Sequence, residues 1–97
     1  MNALLVFVAG FVVFAGIGSA AAADDPPGVA SCSGCHPTNA NVDTPAPRLV
    51  GQDPAGIVAA LQGFRSGQRP ATVMDRIAKG FSDDEIKAIA AWYGTQH

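Results

Sequence analysis

The sequence has few charged and few aromatic residues, and its charges show no excess of basic residues. Only 14% of its 97 residues are charged, and six basic against eight acidic side chains give a formal net charge of −2. So mild a balance, with no cluster of Lys and Arg, argues against a nucleic-acid partner. The sequence also has no internal repeat and no alternating strand pattern. Its length predicts a single domain.

The first 23 residues carry no charged side chain. Apolar residues dominate positions 4–14, and small residues follow, ending in Ala21-Ala22-Ala23 ahead of Asp24. An apolar segment closed by an Ala-x-Ala site is typical of a signal peptide. We therefore expect residues 1–23 to direct export and residues 24–97 to form a periplasmic domain. The basic residue that usually opens such a peptide is missing, so an uncleaved membrane anchor is the alternative.

The two cysteines of the chain occur together, in Cys32-Ser33-Gly34-Cys35-His36. A C-x-x-C-H run is the attachment signature of a c-type haem. Two thiols add across the two vinyl groups of the porphyrin, and the spacing lets both reach it from one helical turn. The imidazole of His36 then lies under the iron as its proximal ligand. The run predicts one covalently attached haem c.

Three other uses of a C-x-x-C pair are open at this point. A thioredoxin-like dithiol needs a larger α/β unit than this chain contains. A structural zinc site needs four ligands, which His36 and His97 would have to complete. A disulfide is possible in any exported protein with two cysteines. The histidine directly after the second cysteine favours haem.

Residues 24–97 are too few to build a large core from side chains alone. A covalently held haem would serve as the centre of that core. The sequence predicts an all-α domain of short helices packed around it. A first helix from about Pro27 to Cys35 would carry the haem cysteines, and the turn-rich residues 36–52 would wrap one haem face as a loop.

Two amphipathic helices follow the loop. Asp53-Pro54 predicts the start of one, with Asp as N-cap and Pro in the first turn, and Ser66-Gly67 its end. A short helical turn is expected over residues 72–80. The last helix follows a capping box formed by Ser82 and Glu85. Apolar residues at helical spacing give each long helix one buried face: Ile57, Ala60, Leu61 and Phe64 on the first, and Ile86, Ile89, Ala90 and Tyr93 on the last.

Met74 is the candidate for the second iron ligand, because it is the only methionine after the export segment. Its thioether is a soft ligand that stabilises Fe(II) and raises the reduction potential. His97, the other spare donor, lies at the C-terminal end. Pro47 is the expected source of a carbonyl that accepts a hydrogen bond from His36. Arg48 is a candidate partner for a haem propionate, with a solvated surface Arg as the alternative.

These features together resemble a class I cytochrome c: the C-x-x-C-H run, residues 47–51, and a methionine ahead of an amphipathic terminal helix. Residues 63–67 and 71–82 are similar to the cytochrome subunit of flavocytochrome c sulfide dehydrogenase. In that family the methionine that precedes Arg-Ile-Ala-Lys-Gly is the distal iron ligand, so the resemblance gives that role to Met74. It covers nearly all of residues 24–97.

The resemblance implies a division of labour. A separate flavoprotein subunit oxidises sulfide at a flavin and an active-site disulfide. The cytochrome subunit accepts the electrons one at a time and passes them to a soluble redox acceptor. This chain would then not be an enzyme itself, since both its cysteines are taken up by the haem.

Two further functions compete with that one. The first is a free periplasmic mono-haem shuttle, which would have a similar haem domain. A lasting complex needs a large apolar interface, so exposed apolar residues around Leu49, Val50 or Val73 would favour the subunit. The second is a haem enzyme or gas sensor, which requires an open distal site. The sequence also suggests Gly28 as a point where Trp92 or Tyr93 approaches closely.

Overall fold

A computed structural model describes residues 9–13, 16 and 25–97. Four helices form the domain: α1 (Val29–Cys35), α2 (Pro54–Ser66), α3 (Met74–Ala78) and α4 (Asp83–Thr95). Within the described ranges the secondary structure is helix and turn alone, so the predicted all-α fold is confirmed. Most of the proposed signal peptide, residues 1–23, lies outside the described residues. No helix in those ranges is long and apolar enough to cross a membrane.

Local signals fix the ends of the two long helices where the sequence predicted them. At the start of α2 the Ala55 N–H donates to the Asp53 carboxylate at 3.1 Å, and Gly67 ends the helix with a φ of 79°. At the start of α4, Ser82 and Glu85 form a full capping box, with bonds of 3.0 and 3.2 Å. The hydrogen bonds from Ser82 also lower the pKa of Glu85.

The shorter helices differ from their predicted bounds. Helix α1 begins at Val29 rather than near Pro27, because Gly28 takes a left-handed φ of 95° that a helix cannot continue. Helix α3 covers only the middle of the predicted residues 72–80. It ends at Ala78, and the Gly80 N–H closes the following turn on the Ile77 carbonyl at 3.0 Å.

Helix α2 packs against both α3 and α4. The predicted face of α4 is buried throughout, whereas that of α2 is only partly so. Ile57 and Leu61 are buried and Ala60 and Phe64 are half-buried, and all four line the cavity described below. The buried core consists of Val29, Ile57, Leu61, Ala78, Ile86, Ile89, Ala90 and Tyr93.

Contacts at both ends of α4 attach it to the loop after α1 and to the end of α2. Residues 36–52 are irregular, as predicted, and the Gly51 N–H donates to the Tyr93 carbonyl at 3.3 Å. At the other end of α4, Arg65 donates to the Phe81 carbonyl at 3.2 Å and forms an ion pair with Asp83. The hydrogen bond from Arg65, and next its charge, lower the pKa of Asp83. These contacts hold the loop after α1 and the end of α2 against one helix.

Gly28 is a point of close approach, but its neighbours are Phe81 and Ile89. A Cβ added at Gly28 would overlap the Phe81 ring and lie 3.1 Å from Ile89 Cδ1. The expected approach of Trp92 or Tyr93 was therefore wrong. Trp92 instead donates from its indole N–H to Asp25 at 3.0 Å.

Gly28→Ala is expected to lower the free energy of unfolding by about 2 kcal/mol or more, because it adds a left-handed alanine and displaces a core ring. Denaturant titration of the haem-loaded protein measures this. Gly56→Ala is the matched control, since it is helical and a Cβ there meets nothing within 4 Å. It should leave stability unchanged or raise it by up to about 1 kcal/mol. Equal midpoints for both variants would contradict the assignment of Gly28.

Candidate functional site

A cavity of about 630 Å³ lies between the helices and the loop of residues 36–52. Its lining is mainly apolar and comes from all four helices. Cavities of this size and character are typical of cofactor sites. The side chains in the lining that could react, bind a metal or pair with an anion are Cys32, Cys35, His36, Arg69 and Met74.

Cys32 and Cys35 lie one helical turn apart at the end of α1, so both line the same cavity. No disulfide joins them. Cys32 is half-buried, and desolvation raises its pKa, while Cys35 is exposed. Among the described residues, no third His, Cys, Asp or Glu joins these side chains in a cluster that could hold a metal ion.

His36 ends α1, and its side chain is buried, with 8% of its surface exposed. Its Nδ1 lies 2.5 Å from the Pro47 carbonyl oxygen, the acceptor expected from the sequence. A carbonyl oxygen can only accept, so Nδ1 carries the proton and donates. With Nδ1 engaged in this way, Nε2 is the ring nitrogen that remains for a metal.

Met74 is the first residue of α3, and its half-buried side chain packs against the core and lines the cavity. Pro47 lines the cavity as well. The structure therefore brings together five of the six residues selected from the sequence. Arg48 is the exception: its side chain is exposed and does not line the cavity, while its carbonyl accepts a hydrogen bond from Gln52.

A hydrogen bond between Ser33 and Tyr93 ties the cysteine turn to α4. The Ser33 hydroxyl lies 2.7 Å from the Tyr93 hydroxyl, which also approaches the Val29 carbonyl at 3.5 Å. Burial raises the pKa of Tyr93, and the bond to Ser33 partly offsets this. The sequence placed Tyr93 on an apolar face, but nothing in its local pattern pointed to a partner inside the C-x-x-C-H run.

Several known proteins are similar in sequence to this chain. The chain is 44% identical over 64 residues to the cytochrome subunit of sulfide dehydrogenase from Chlorobaculum tepidum, a match that covers 66% of this chain and 58% of that protein. It is 37% identical over 83 residues to cytochrome c-554(548) from Halomonas halodenitrificans, covering 81% of this chain and 98% of that protein. The chain belongs to the class I c-type cytochromes.

This cytochrome also shares 36% identity over 76 residues with cytochrome c4 from Azotobacter vinelandii, where the match covers 72% of this chain and 36% of the relative. No protein-family model matches the chain. It thus spans just over half of the sulfide dehydrogenase subunit and about a third of cytochrome c4. The related cytochromes are electron carriers, and the relationship implies a covalently bound haem c in this chain.

The residues of this cytochrome fit that group. Two thiols line the cavity on one helical turn, as thioether attachment requires. A buried imidazole, oriented by the Pro47 carbonyl, and a thioether from α3 are the two kinds of axial donor found in cytochromes c. The remaining lining is largely apolar, which suits the porphyrin faces.

Tyr93→Phe and Ser33→Ala should each destabilise this cytochrome, because each removes one partner of the bond between the cysteine turn and α4. Denaturant titration of both variants and the double variant gives the coupling free energy between the two hydroxyls. We expect about 0.5–1.5 kcal/mol, the range of a neutral hydrogen bond. Strictly additive losses would show that the two hydroxyls do not interact.

Proposed function

We propose that this cytochrome is an exported electron carrier with one haem c, attached through Cys32 and Cys35 and ligated axially by His36 and Met74. Residues 1–23 serve as its signal peptide, and the mature domain works in the periplasm. The convergence of all four side chains on one cavity carries the proposal. When bound, the haem takes up and releases one electron as its iron alternates between Fe(III) and Fe(II).

The side chains have separate tasks in this scheme. The bond from His36 Nδ1 to the Pro47 carbonyl fixes the orientation of the ring and makes Nε2 a stronger donor. The thioether of Met74 favours the reduced state. His36, directly after α1, and Met74, at the start of α3, would hold the iron from two packed elements, so little would have to move when an electron arrives. The fold therefore suits electron transfer better than binding or turnover of a small molecule at the metal.

We further propose that the electrons come from the flavoprotein subunit of a sulfide dehydrogenase and leave to a soluble redox acceptor. The match to a cytochrome subunit of sulfide dehydrogenase supports this assignment. So does the surface beside Met74, where Val73 is 54% exposed and Ile77 38% exposed. Both residues also line the cavity, so this apolar surface lies at its mouth. We call Val73 and Ile77 the mouth patch.

A free periplasmic shuttle is the second candidate. It is favoured by the match to cytochrome c-554(548), which extends over nearly the whole of a protein whose name includes no dehydrogenase. Leu49 and Val50, the other residues whose exposure would favour a lasting complex, are only partly exposed and pack against the core.

Met74→Ala is expected to abolish the far-red absorption band that a methionine–iron(III) bond gives and to let the reduced protein bind carbon monoxide. His97→Ala is the control, because it removes the other spare donor; the band should remain and carbon monoxide should not bind. Visible spectra of both oxidised and reduced proteins make the measurement. Absence of the band from the unaltered protein, with carbon monoxide binding gained in His97→Ala and not in Met74→Ala, would reverse the assignment. Carbon monoxide binding by the unaltered protein would favour the gas sensor instead.

The haem-loaded protein, captured from its native cells, should bring with it a flavoprotein in stoichiometric amount, and sulfide should reduce its haem. Val73→Lys places a charge in the mouth patch and should slow that reduction at least tenfold, since a buried unpaired charge weakens an apolar interface. Val42→Lys is the matched control, because Val42 is 47% exposed but does not line the cavity. Its rate should be unchanged.

A lone cytochrome in the eluate, with no flavin and no reduction by sulfide, would exclude the subunit role. The free shuttle would then be the remaining candidate. Equal rates for the two lysine variants, with a flavoprotein present, would show that the partner docks on another surface.

A further inference from the structure

The cavity contains one permanent charge, and it is positive. Among the described residues that line it, Arg69 is the only Lys, Arg, Asp or Glu. The rest are apolar or neutral polar side chains, apart from the titratable His36 and the two thiols. A guanidinium beside an apolar cavity is a preferred site for a carboxylate, because its planar N–H donors match the two oxygens.

Three contacts hold Arg69 in that position. Its backbone N–H donates to the Gly63 carbonyl at 3.1 Å, after the chain has turned at Gly67. Its Cβ lies so near Gly63 that an added Cβ there would be 3.2 Å away. Its guanidinium carbon lies 5.1 Å from the centroid of the Phe64 ring, which lines the same cavity. Attraction between the cation and the ring thus orients the guanidinium at the edge of the cavity.

Arg69 has no acidic partner in the part of the chain that the structure describes. The ion pair found there joins Arg65, in the last turn of α2, to Asp83, the first residue of α4. The guanidinium of Arg69 therefore keeps its donors available. An arginine that is positioned by packing but unpaired is prepared for an anionic group that arrives with the ligand.

We propose that Arg69 binds a propionate carboxylate of the haem. This inference rests on the proposed haem site, and it adds a binding residue that the C-x-x-C-H run and the axial ligands do not supply. The proposal also assigns different roles to Arg48 and Arg69, which the sequence alone does not distinguish. Both side chains are exposed, but Arg48 does not line the cavity, whereas Arg69 lines it and lies against Phe64.

A cation beside the haem favours the reduced state, since Fe(II) carries one positive charge fewer than Fe(III). Removal of the charge at Arg69 should therefore make the haem harder to reduce. At the separations found within one cavity and an effective dielectric constant of about 20, one charge changes a reduction equilibrium by roughly tenfold. For a one-electron couple, tenfold is 59 mV.

The test compares four variants of the haem-loaded protein: Arg69→Gln, Arg69→Lys, Arg48→Gln and Lys87→Gln. Spectroelectrochemical titration gives the reduction equilibrium, and NMR of the oxidised protein gives the hyperfine-shifted methylene protons of the propionates. Arg69→Gln should weaken reduction about tenfold and move the propionate signals. Arg69→Lys keeps the charge but loses the planar donors, so it should move the propionate signals with little change in the equilibrium. Lys87→Gln removes a charge from the exposed side of α4 and should change neither readout.

Two results would overturn the proposal. One is unchanged propionate signals in both Arg69 variants. The other is a shift in Arg48→Gln that matches the one expected for Arg69→Gln, which would give the propionate to Arg48. If Arg69→Gln folds poorly, the propionate signals of Arg69→Lys alone still test the proposal. Failure of the haem site itself is separately visible, because the unaltered protein would then lack covalent haem and the far-red methionine band.

Discussion

The constraint on which the structure depends is that its helices enclose a space instead of filling one. Ile86, Ile89 and Tyr93 are the largest fully buried side chains, and all three lie on α4. On α2 the apolar stripe is only half covered, since Ala60 and Phe64 face a cavity of about 630 Å³. So small a domain gains much of its stability from whatever occupies that cavity, because binding to the folded state alone shifts the folding equilibrium.

Tyr93 connects that cavity to the rest of the chain. Its hydroxyl contacts Ser33 in the cysteine turn, its carbonyl accepts from Gly51 in the loop, and its ring packs edge-on against Trp92 at a centroid distance of 4.9 Å. One residue of α4 therefore meets both segments that supply the proximal side of the site. Because these partners are far apart in sequence, the turn that carries the thiols is held by the fold rather than by its own short helix, which has no side-chain cap.

The parts of the fold that were predictable from sequence are those set by local chemistry. Asp53, Ser82 and Glu85 mark helix starts through bonds to neighbouring amides, and the buried face of α4 follows from its periodicity. What depended on distant contacts was missed. Gly28 meets Phe81 and Ile89 rather than Trp92 or Tyr93, and its left-handed backbone delays α1 to Val29. Nothing in the local sequence distinguishes Arg69, which lies between α2 and α3, because only the packing of that segment on Gly63 and Phe64 brings its side chain to the cavity.

The residues that line the cavity indicate the cofactor, but they do not indicate the redox partner. Thiols, imidazole and thioether determine the cofactor, and any class I cytochrome c presents a similar set, so the interior cannot select a partner. In the proposed scheme a partner is recognised at the mouth of the cavity, where Val73 and Ile77 expose apolar surface. A lasting complex buries such residues at a well-packed interface, whereas a shuttle needs a smaller contact that releases quickly. Two carriers with identical haem sites can therefore exchange electrons with different partners, because the few side chains around the cavity mouth differ.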